Sequence, residues 1–136
     1  MKLLFDLEST GMLRQNSQLH CIVVRNLADD DSSPLVFDTV RRNINEGIEL
    51  LQNADLLVGH NILGYDIPLL EELYPNFSCK ENFCDTLVSS RLFFSTLTNQ
   101  DFERRPYNLP KKLYGSHSLK AWGIRLGELK GDFSET

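Results

Sequence analysis

The chain has 136 residues, of which 41% are hydrophobic and 24% charged, and its formal net charge is −5. This length suits one compact domain, and the composition is that of a soluble globular protein without a run of about 18 apolar residues that would cross a membrane. The negative charge excludes a protein that binds nucleic acid by bulk electrostatics alone, but it does not exclude a local site.

The first residues and the cysteines indicate a cytoplasmic protein. Asp6 interrupts the apolar run at the point where a signal peptide would continue, so secretion is not expected. Cys21, Cys79 and Cys84 are odd in number and lack the paired spacing of a zinc site. We therefore expect three reduced thiols.

The first third of the chain predicts an antiparallel meander. Residues 2–8 are expected to form a buried strand, residues 19–25 a second strand rich in β-branched residues, and residues 35–37 a third. Short polar segments supply the turns between them, and such short connections join antiparallel neighbours.

A helix and a parallel strand are expected next. Ile44, Ile48 and Leu51 recur at helical spacing, which predicts a helix over residues 40–53. Residues 55–59 form a short apolar strand that returns parallel to the sheet through this crossover helix. The predicted fold class is therefore α/β, with antiparallel strands first and parallel strands with flanking helices afterwards.

Two more helices are predicted in the middle of the chain. One begins near Leu63 and ends before Tyr74, and the other covers residues 85–95 with Asp85 as its N-cap. Beyond them, residues 97–115 are expected to be a long connection, a feature that is often functional in compact domains.

The last predicted helix follows Ser116 or Ser118 and ends at Gly127. The segment before it interleaves basic and aromatic residues, a composition typical of a loop that contacts single-stranded nucleic acid. Lys111 and Lys112 are the candidate phosphate contacts in this segment, which could equally be a solvated face.

Two carboxylates stand at the end of the first predicted strand. Asp6 and Glu8 are two residues apart, so in a strand both point to the same face with Cα atoms about 7 Å apart. Such acids are either hydrated at the end of a strand or hold a cation between them. The pair alone does not decide between these alternatives.

A third carboxylate follows the predicted parallel strand. The segment GHNILGYD, residues 59–66, begins at the carboxyl end of that strand, where open α/β sheets form their sites. Asp66 is expected close to Asp6 if the two strands are neighbours, and it is also a candidate N-cap for its own helix. Three carboxylates suit Mg²⁺ or Mn²⁺, and two such ions about 3.5–4 Å apart support hydrolysis of a phosphodiester.

Four segments resemble a known family. FDLESTG, residues 5–11, is similar to the first motif of the DEDD 3′–5′ exonucleases, and NILGYD, residues 61–66, is similar to their second motif. CDTLVSSRL, residues 84–92, and GSHSLKAWGIRLGELKG, residues 115–131, resemble the proofreading domain of family A DNA polymerases from short-tailed bacteriophages of the T-seven type. The resemblance extends over essentially the whole chain.

The resemblance implies a ribonuclease H-like mixed sheet and a single, C-terminally incomplete 3′–5′ exonuclease domain over residues 1–136. In this family, metal ions support the hydrolysis of phosphodiester bonds at DNA 3′ ends, so Mg²⁺ or Mn²⁺ is the implied cofactor. By the same resemblance Asp6 contacts both metals, Glu8 shares the metal on the nucleophile side, and Asp66 holds the second metal.

Substrate and partners are also implied by the resemblance. The terminal nucleotide is expected to lie among Thr10, Met12, Leu13, Asn61 and Tyr65. The expected partners are a single-stranded or frayed DNA 3′ end and the remaining polymerase domains, in cis or as a separate chain, in the cytoplasm of a bacterial host.

One part of the family pattern is not matched. The family has a fourth carboxylate in a third motif, an Asp preceded by a Tyr four residues earlier, and Asp132 and Glu135 come too early for that role. Three alternatives stay open: a piece of a longer polymerase, one half of a split exonuclease or polymerase, and a catalytically incomplete module that binds DNA ends or docks a polymerase.

Overall fold

A computed structural model describes residues 1–78 and 82–128 of the chain. Cys79, Asp132, Glu135 and the last residues of the segment 115–131 lie outside this part. The chain divides into two compact units, Met1–Thr86 and Leu87–Thr136. No helix within the described residues is both long enough and apolar enough to span a membrane.

The first unit contains a mixed sheet. Its strands are β1 (Lys2–Thr10), β2 (Gln18–Asn26), β3 (Leu35–Asp38), β4 (Leu56–Gly59) and β5 (Phe83–Asp85). Their order across the sheet is β3-β2-β1-β4-β5. β1, β2 and β3 pair antiparallel, whereas β4 runs parallel to both β1 and β5. This is the predicted meander followed by parallel strands, with β1 at its centre.

Strand β5 is missing from the sequence-based prediction. Its three residues are too few to show an alternation of apolar and polar side chains, so only its pairing with β4 defines it. The pairing aligns Gly59 with Asp85. The carboxyl ends of the two parallel strands therefore lie side by side.

The first strand is buried on one face only, which corrects the prediction of a buried strand. Leu3, Phe5 and Leu7 point into the core, whereas Asp6 and Glu8 point to the opposite face and are exposed. The reason is the two-residue period of a strand, which places successive side chains on opposite sides of the sheet.

Two helices cover the core face of the first unit, α1 (Ile44–Gln52) and α2 (Ile67–Leu73). Helix α1 begins later than the predicted residue 40, because Arg42 has a left-handed backbone with a φ of 56° that a helix cannot include. The fully buried side chains of this unit include the following residues: Leu3, Ile22, Leu51, Leu57, Ile62, Leu69, Leu70 and Val24.

The remaining helices are α3 (Thr86–Phe93), α4 (Leu97–Arg104) and α5 (Leu119–Leu126), with a 3₁₀ turn at Lys111–Leu113. Helix α4 corrects the predicted connection over residues 97–115. Its buried face is formed by Leu97 and Asp101, and a face that includes an acid gives no hydrophobic periodicity.

A buried ion pair organises the second unit. Arg125 donates to the carboxylate of Asp101 from Nε at 3.0 Å and from Nη2 at 2.7 Å, and the N–H of Gly115 donates to it at 2.8 Å. Burial alone would raise the pKa of Asp101, but the hydrogen bonds from Arg125 and Gly115 hold it below its ordinary value.

Both ends of helix α5 agree with the sequence-based prediction. The Ser118 hydroxyl accepts the N–H of Ala121 at 3.1 Å, which makes Ser118 the N-cap. At the other end, Gly127 has a φ of 73°, the left-handed conformation that commonly ends a helix.

Candidate active site

Strand β1 extends beyond the end of its parallel neighbour β4. The register between β1 and β4 pairs Lys2 with Leu56 and Leu4 with Val58, and β4 ends one residue later at Gly59. β1 continues to Thr10 and carries Asp6 and Glu8 beyond this register. The chain that leaves β4 therefore turns beside the part of β1 that bears the two acids.

Two glycines allow this turn to pack closely. A Cβ atom at Gly59 would lie 2.3 Å from Ile62 Cγ2 and 3.0 Å from the carbonyl oxygen of Phe5. A Cβ atom at Gly64 would lie 2.4 Å from Oδ1 of Asn61. Gly59 thus lets the turn pack on the backbone of β1, whereas a side chain at position 64 would require the Asn61 side chain to move.

The turn enters α2 through a single π-helical turn, Ile62–Asp66. Asn61, directly before it, has a left-handed backbone with a φ of 59°. Turns of the π type occur often at functional sites, where the extra residue changes the direction of the side chains that follow. Here the residue at the end of the turn is Asp66.

The carboxyl group of Asp66 is buried and incompletely paired. Asp66 is 6% exposed, its side chain makes no capping hydrogen bond to α2, and its buried Oδ2 has no hydrogen-bond partner among the described residues. The structure thus does not support the alternative in which Asp66 is a capping side chain. An unpaired buried carboxylate oxygen is costly unless a proton or a cation satisfies it.

The negative charge of Asp6 acts on the carboxyl group of Asp66. Burial, and after it the negative charge of Asp6, raise the pKa of Asp66 to about 7 from an ordinary value of 3.8, while hydrogen bonding to the backbone of Leu7 opposes the rise. Two carboxylates that share a site disfavour each other's charge. The proximity that the sequence predicts for these two acids is therefore present in the structure.

The third predicted acid, Glu8, has its described neighbours on strand β2. Glu8 is paired across the sheet with Cys21 of β2. Burial and the negative charges of Asp38 and Glu8 raise the pKa of the Cys21 thiol. Cys21 is a free thiol, as predicted.

The carboxylates at the end of β1 and in the turn after β4 fit a divalent cation. No three His, Cys, Asp or Glu side chains within the described residues come together as a ready-made metal site. Mg²⁺, however, is commonly bound by only one or two carboxylates and keeps several waters. Asp6 and Asp66 could hold such an ion, which would also satisfy Oδ2 of Asp66, and Glu8 is the next residue of β1 on the same face.

Tyr65 and Thr10, two predicted substrate contacts, make hydrogen bonds within the protein. The Tyr65 hydroxyl donates to the carbonyl oxygen of Gly11 at 3.1 Å and lies 2.7 Å from the hydroxyl oxygen of Ser9. Because the single phenolic hydrogen goes to Gly11, the Ser9 hydroxyl donates to Tyr65. Thr10 Oγ1 lies 3.0 Å from Nε2 of His20.

The other predicted substrate contacts vary in exposure. Met12 is 68% exposed and Asn61 is also exposed, whereas Leu13 is partly buried against the core of the first unit. Lys111 and Lys112 are exposed on the 3₁₀ turn of the second unit.

Asp85 is a residue of this region that the sequence predicts only as a helix cap. Its side chain is buried, and its two oxygens accept the backbone N–H groups of Asn61 at 2.8 Å and Leu63 at 3.0 Å. The sequence signal is the CDTLVSSRL segment of the family resemblance, in which this Asp directly precedes a helix. Hydrophobic patterns give no indication of such a contact.

Comparison with solved structures identifies the class of fold. No protein-family model matches the chain. The zinc-bound complex of E. coli ExoI with single-stranded DNA superimposes with a TM-score of 0.65 at 12% identity, covering 99% of this chain and 36% of that chain. The EXO domain of Aedes aegypti Nibbler gives a TM-score of 0.61 at 11% identity, covering 98% of this chain and 62% of that chain. The fold is therefore ribonuclease H-like, as predicted.

Two relatives are similar to nearly the whole chain in sequence. The DNA-directed DNA polymerase of Enterobacteria phage T3 is 34% identical over 140 residues, which cover 98% of this chain and 20% of that polymerase. The DNA-directed DNA polymerase of Escherichia phage T7 is 34% identical over 142 residues, covering 96% of this chain and 20% of that polymerase. The chain is homologous to these phage DNA polymerases and spans about a fifth of their length.

Proposed function

We propose that this chain is the 3′–5′ exonuclease domain of a phage-type DNA polymerase and removes nucleotides from single-stranded or frayed DNA 3′ ends during proofreading. Homology to the T3 and T7 polymerases and a fold shared with E. coli ExoI, solved in complex with single-stranded DNA, support this function. The observation that carries it is the buried, unpaired Oδ2 of Asp66 beside the charge of Asp6.

Asp6, Glu8 and Asp66 are the proposed catalytic and metal-binding residues, with Mg²⁺ or Mn²⁺ as the proposed cofactor. A divalent ion bound there supplies activation of a water molecule and stabilisation of the leaving oxygen. Two features of the chain support this assignment. Burial and the charge of Asp6 raise the pKa of Asp66, so a cation bound there would favour its charged form, and Asp6 and Glu8 share one face of β1.

The proposed binding site for the terminal nucleotide is formed by Thr10, Met12, Leu13, Asn61 and Tyr65. Tyr65 supports the geometry, since its hydrogen bonds hold Ser9 and Gly11 at the end of β1. The exposed side chain of Met12 offers an apolar surface on which a nucleobase can pack.

Lys111 and Lys112 are proposed to contact the DNA backbone, because both are exposed and adjacent on a turn. We also propose that residues 1–136 act as one exonuclease domain, together with the remaining polymerase domains in cis or as a separate chain. The proposed place of action is the cytoplasm of the bacterial host.

The second candidate function is a module that binds DNA and does not cut it. The described residues contain no group of three metal-ligating side chains. This agrees with a catalytically incomplete module that binds DNA ends or docks a polymerase, or with one half of a split exonuclease. Such a module binds DNA without a metal requirement and does not cut it.

Release of mononucleotides from single-stranded DNA distinguishes the two candidates. We expect release in Mg²⁺ or Mn²⁺, loss of release in Asp6→Ala and Asp66→Asn, and normal release in Glu49→Gln, which alters an exposed acid on α1. DNA binding that is independent of metal and leads to no release would favour the incomplete module and contradict the exonuclease.

A further inference from the structure

The turn that carries Asp66 has an irregular backbone and needs an anchor. Asn61 has a left-handed conformation, and the five residues that follow form a π-helical turn rather than the start of a regular α-helix. The first N–H groups of any helical segment lack a partner within the segment. If they are left unsatisfied in a partly buried place, the turn is destabilised and can adopt other arrangements.

Asp85 supplies this anchor from the neighbouring strand. Its Oδ1 accepts the N–H of Asn61 at 2.8 Å, and its Oδ2 accepts the N–H of Leu63 at 3.0 Å. Both bonds have an ionised acceptor, which makes them stronger than bonds between neutral groups. Because the two donors are two residues apart, the carboxylate fixes the orientation of the turn as well as its distance from β5.

Asp85 lies at the same edge of the sheet as the start of the turn that leads to Asp66. Asp85 is 5% exposed and pairs with Gly59, the last residue of β4, in the parallel register. The side chain of Thr86 continues this connection, since its hydroxyl lies 2.9 Å from Nδ1 of His60 and donates to the carbonyl oxygen of Gly59 at 3.3 Å. The end of β5 thereby holds the start of the turn that leads to Asp66.

We propose that Asp85 is a positioning residue, whose paired hydrogen bonds to Asn61 and Leu63 set the place of the Asp66 carboxylate relative to Asp6 and thus the affinity of the site for a divalent cation. The inference rests on the proposed function, in which Asp6 and Asp66 bind that cation. Asp85 acts through the backbone of the turn and needs no contact with the metal or the DNA. Its negative charge also acts on Asp66, and Asp85→Glu, which keeps that charge, separates this effect from positioning. Residues that orient metal ligands in this way typically change metal affinity by about 10-fold to 100-fold when altered.

The test measures Mn²⁺ affinity of the full chain by the electron paramagnetic resonance signal of free Mn²⁺. Asp85→Asn keeps the size of the side chain but replaces one acceptor by a donor that faces an N–H group. We expect affinity to fall by about 10-fold, with an unchanged circular dichroism spectrum at a temperature well below unfolding.

Two further variants separate positioning from general stability. Asn43→Ala is the matched control, because the Asn43 side chain accepts the N–H of Asp38 at 2.8 Å in the same unit, and its loss should leave Mn²⁺ affinity unchanged. Asp85→Glu keeps the charge and both acceptors but displaces them by one methylene group. Positioning predicts reduced affinity in this variant, and it remains informative if Asp85→Asn does not fold.

Parallel titration of Asp66→Asn distinguishes failure of the inference from failure of the proposed function. If Asp66→Asn loses Mn²⁺ binding while both Asp85 variants bind as the wild type does, the positioning role is overturned and the metal site stands. Equal Mn²⁺ binding by wild type and Asp66→Asn would overturn the metal site and the positioning role together.

Discussion

The hydroxyl of Tyr65 lies 2.7 Å from the hydroxyl oxygen of Ser9, and this hydrogen bond joins the turn that carries Asp66 to the strand that carries Asp6 and Glu8. The bond is reinforced by donation from Tyr65 to the carbonyl oxygen of Gly11. The two acidic segments are thus connected through side chains as well as through the parallel pairing of β1 and β4.

Tyr65→Phe removes both hydrogen bonds and keeps the ring, which packs against the core. We expect the free energy of unfolding to fall by about 1–2 kcal/mol, measured by urea denaturation. Tyr107→Phe is the control, because Tyr107 is 86% exposed and the change should have little effect. Equal stability of Tyr65→Phe and wild type would contradict the proposed connection.

The stability of the metal-free protein should depend on the ionisation of Asp66. The pKa of this carboxyl is raised from 3.8 to about 7 by burial and by Asp6, so between these values the folded state binds more protons than the unfolded state. The protonated Asp66 carboxyl stabilises the folded state fully below its unfolded pKa of 3.8, and this stabilisation is lost as the pH rises through its folded pKa of about 7. The free energy of unfolding should therefore fall between about pH 4 and pH 7, by up to about 4 kcal/mol.

Asp66→Asn tests the origin of this dependence, because an amide of the same size does not titrate. Urea denaturation at pH 5 and pH 8 in metal-free buffer should show a smaller difference for the variant than for the wild type. The same difference in both proteins would show that another group causes the dependence. Addition of Mn²⁺ should raise wild-type stability more at pH 8 than at pH 5, since the ion binds the carboxylate form.

The second unit should depend on the ion pair between Asp101 and Arg125, whose side chains are 3% and 7% exposed. Asp101→Ala leaves the buried guanidinium of Arg125 without its carboxylate partner. We expect a loss of about 3–5 kcal/mol in the free energy of unfolding. Arg41→Ala is the control, since the Arg41 side chain is 60% exposed and its ion pair with Asp38 should contribute below about 1 kcal/mol. Similar losses in the two variants would contradict this account.

The two lysines of the 3₁₀ turn should contribute to DNA affinity through charge. Replacing Lys111 and Lys112 by Ala removes two cations from an exposed turn. Binding of single-stranded DNA, measured by fluorescence anisotropy across a salt series, should weaken, and the slope of log affinity against log salt should decrease in magnitude by about 1.4. An unchanged slope would exclude these residues as phosphate contacts.

The sequence predicts most of the sheet and the placement of two acids. Strand alternation puts Asp6 and Glu8 on one face, and the crossover rule makes β4 parallel to β1, which brings Asp66 towards Asp6. Local chemistry also predicts the ends of α5, because Ser118 and Gly127 act through their immediate neighbours.

The remaining features depend on contacts that local patterns do not contain. Helix α4 buries Asp101, which is stable there because Arg125 pairs with it from another helix and the N–H of Gly115 donates to it. Asp85 precedes a helix and is therefore predicted as a cap, and no local pattern shows that its oxygens accept backbone N–H groups of the turn after β4. The raised pKa of Asp66 likewise arises from burial and from a charge on a distant strand.

The most direct test of the central claim follows the two ends of one single-stranded oligonucleotide in the presence of Mn²⁺. With a 3′ label, we expect the label to be released as a mononucleotide in the first turnover, and with a 5′ label we expect a ladder of progressively shorter products. Both signals should disappear in Asp66→Asn and in the presence of a chelator. Retention of the 3′ label in full-length DNA, or equal release by Asp66→Asn, would contradict the assignment of this site as a metal-dependent 3′–5′ exonuclease.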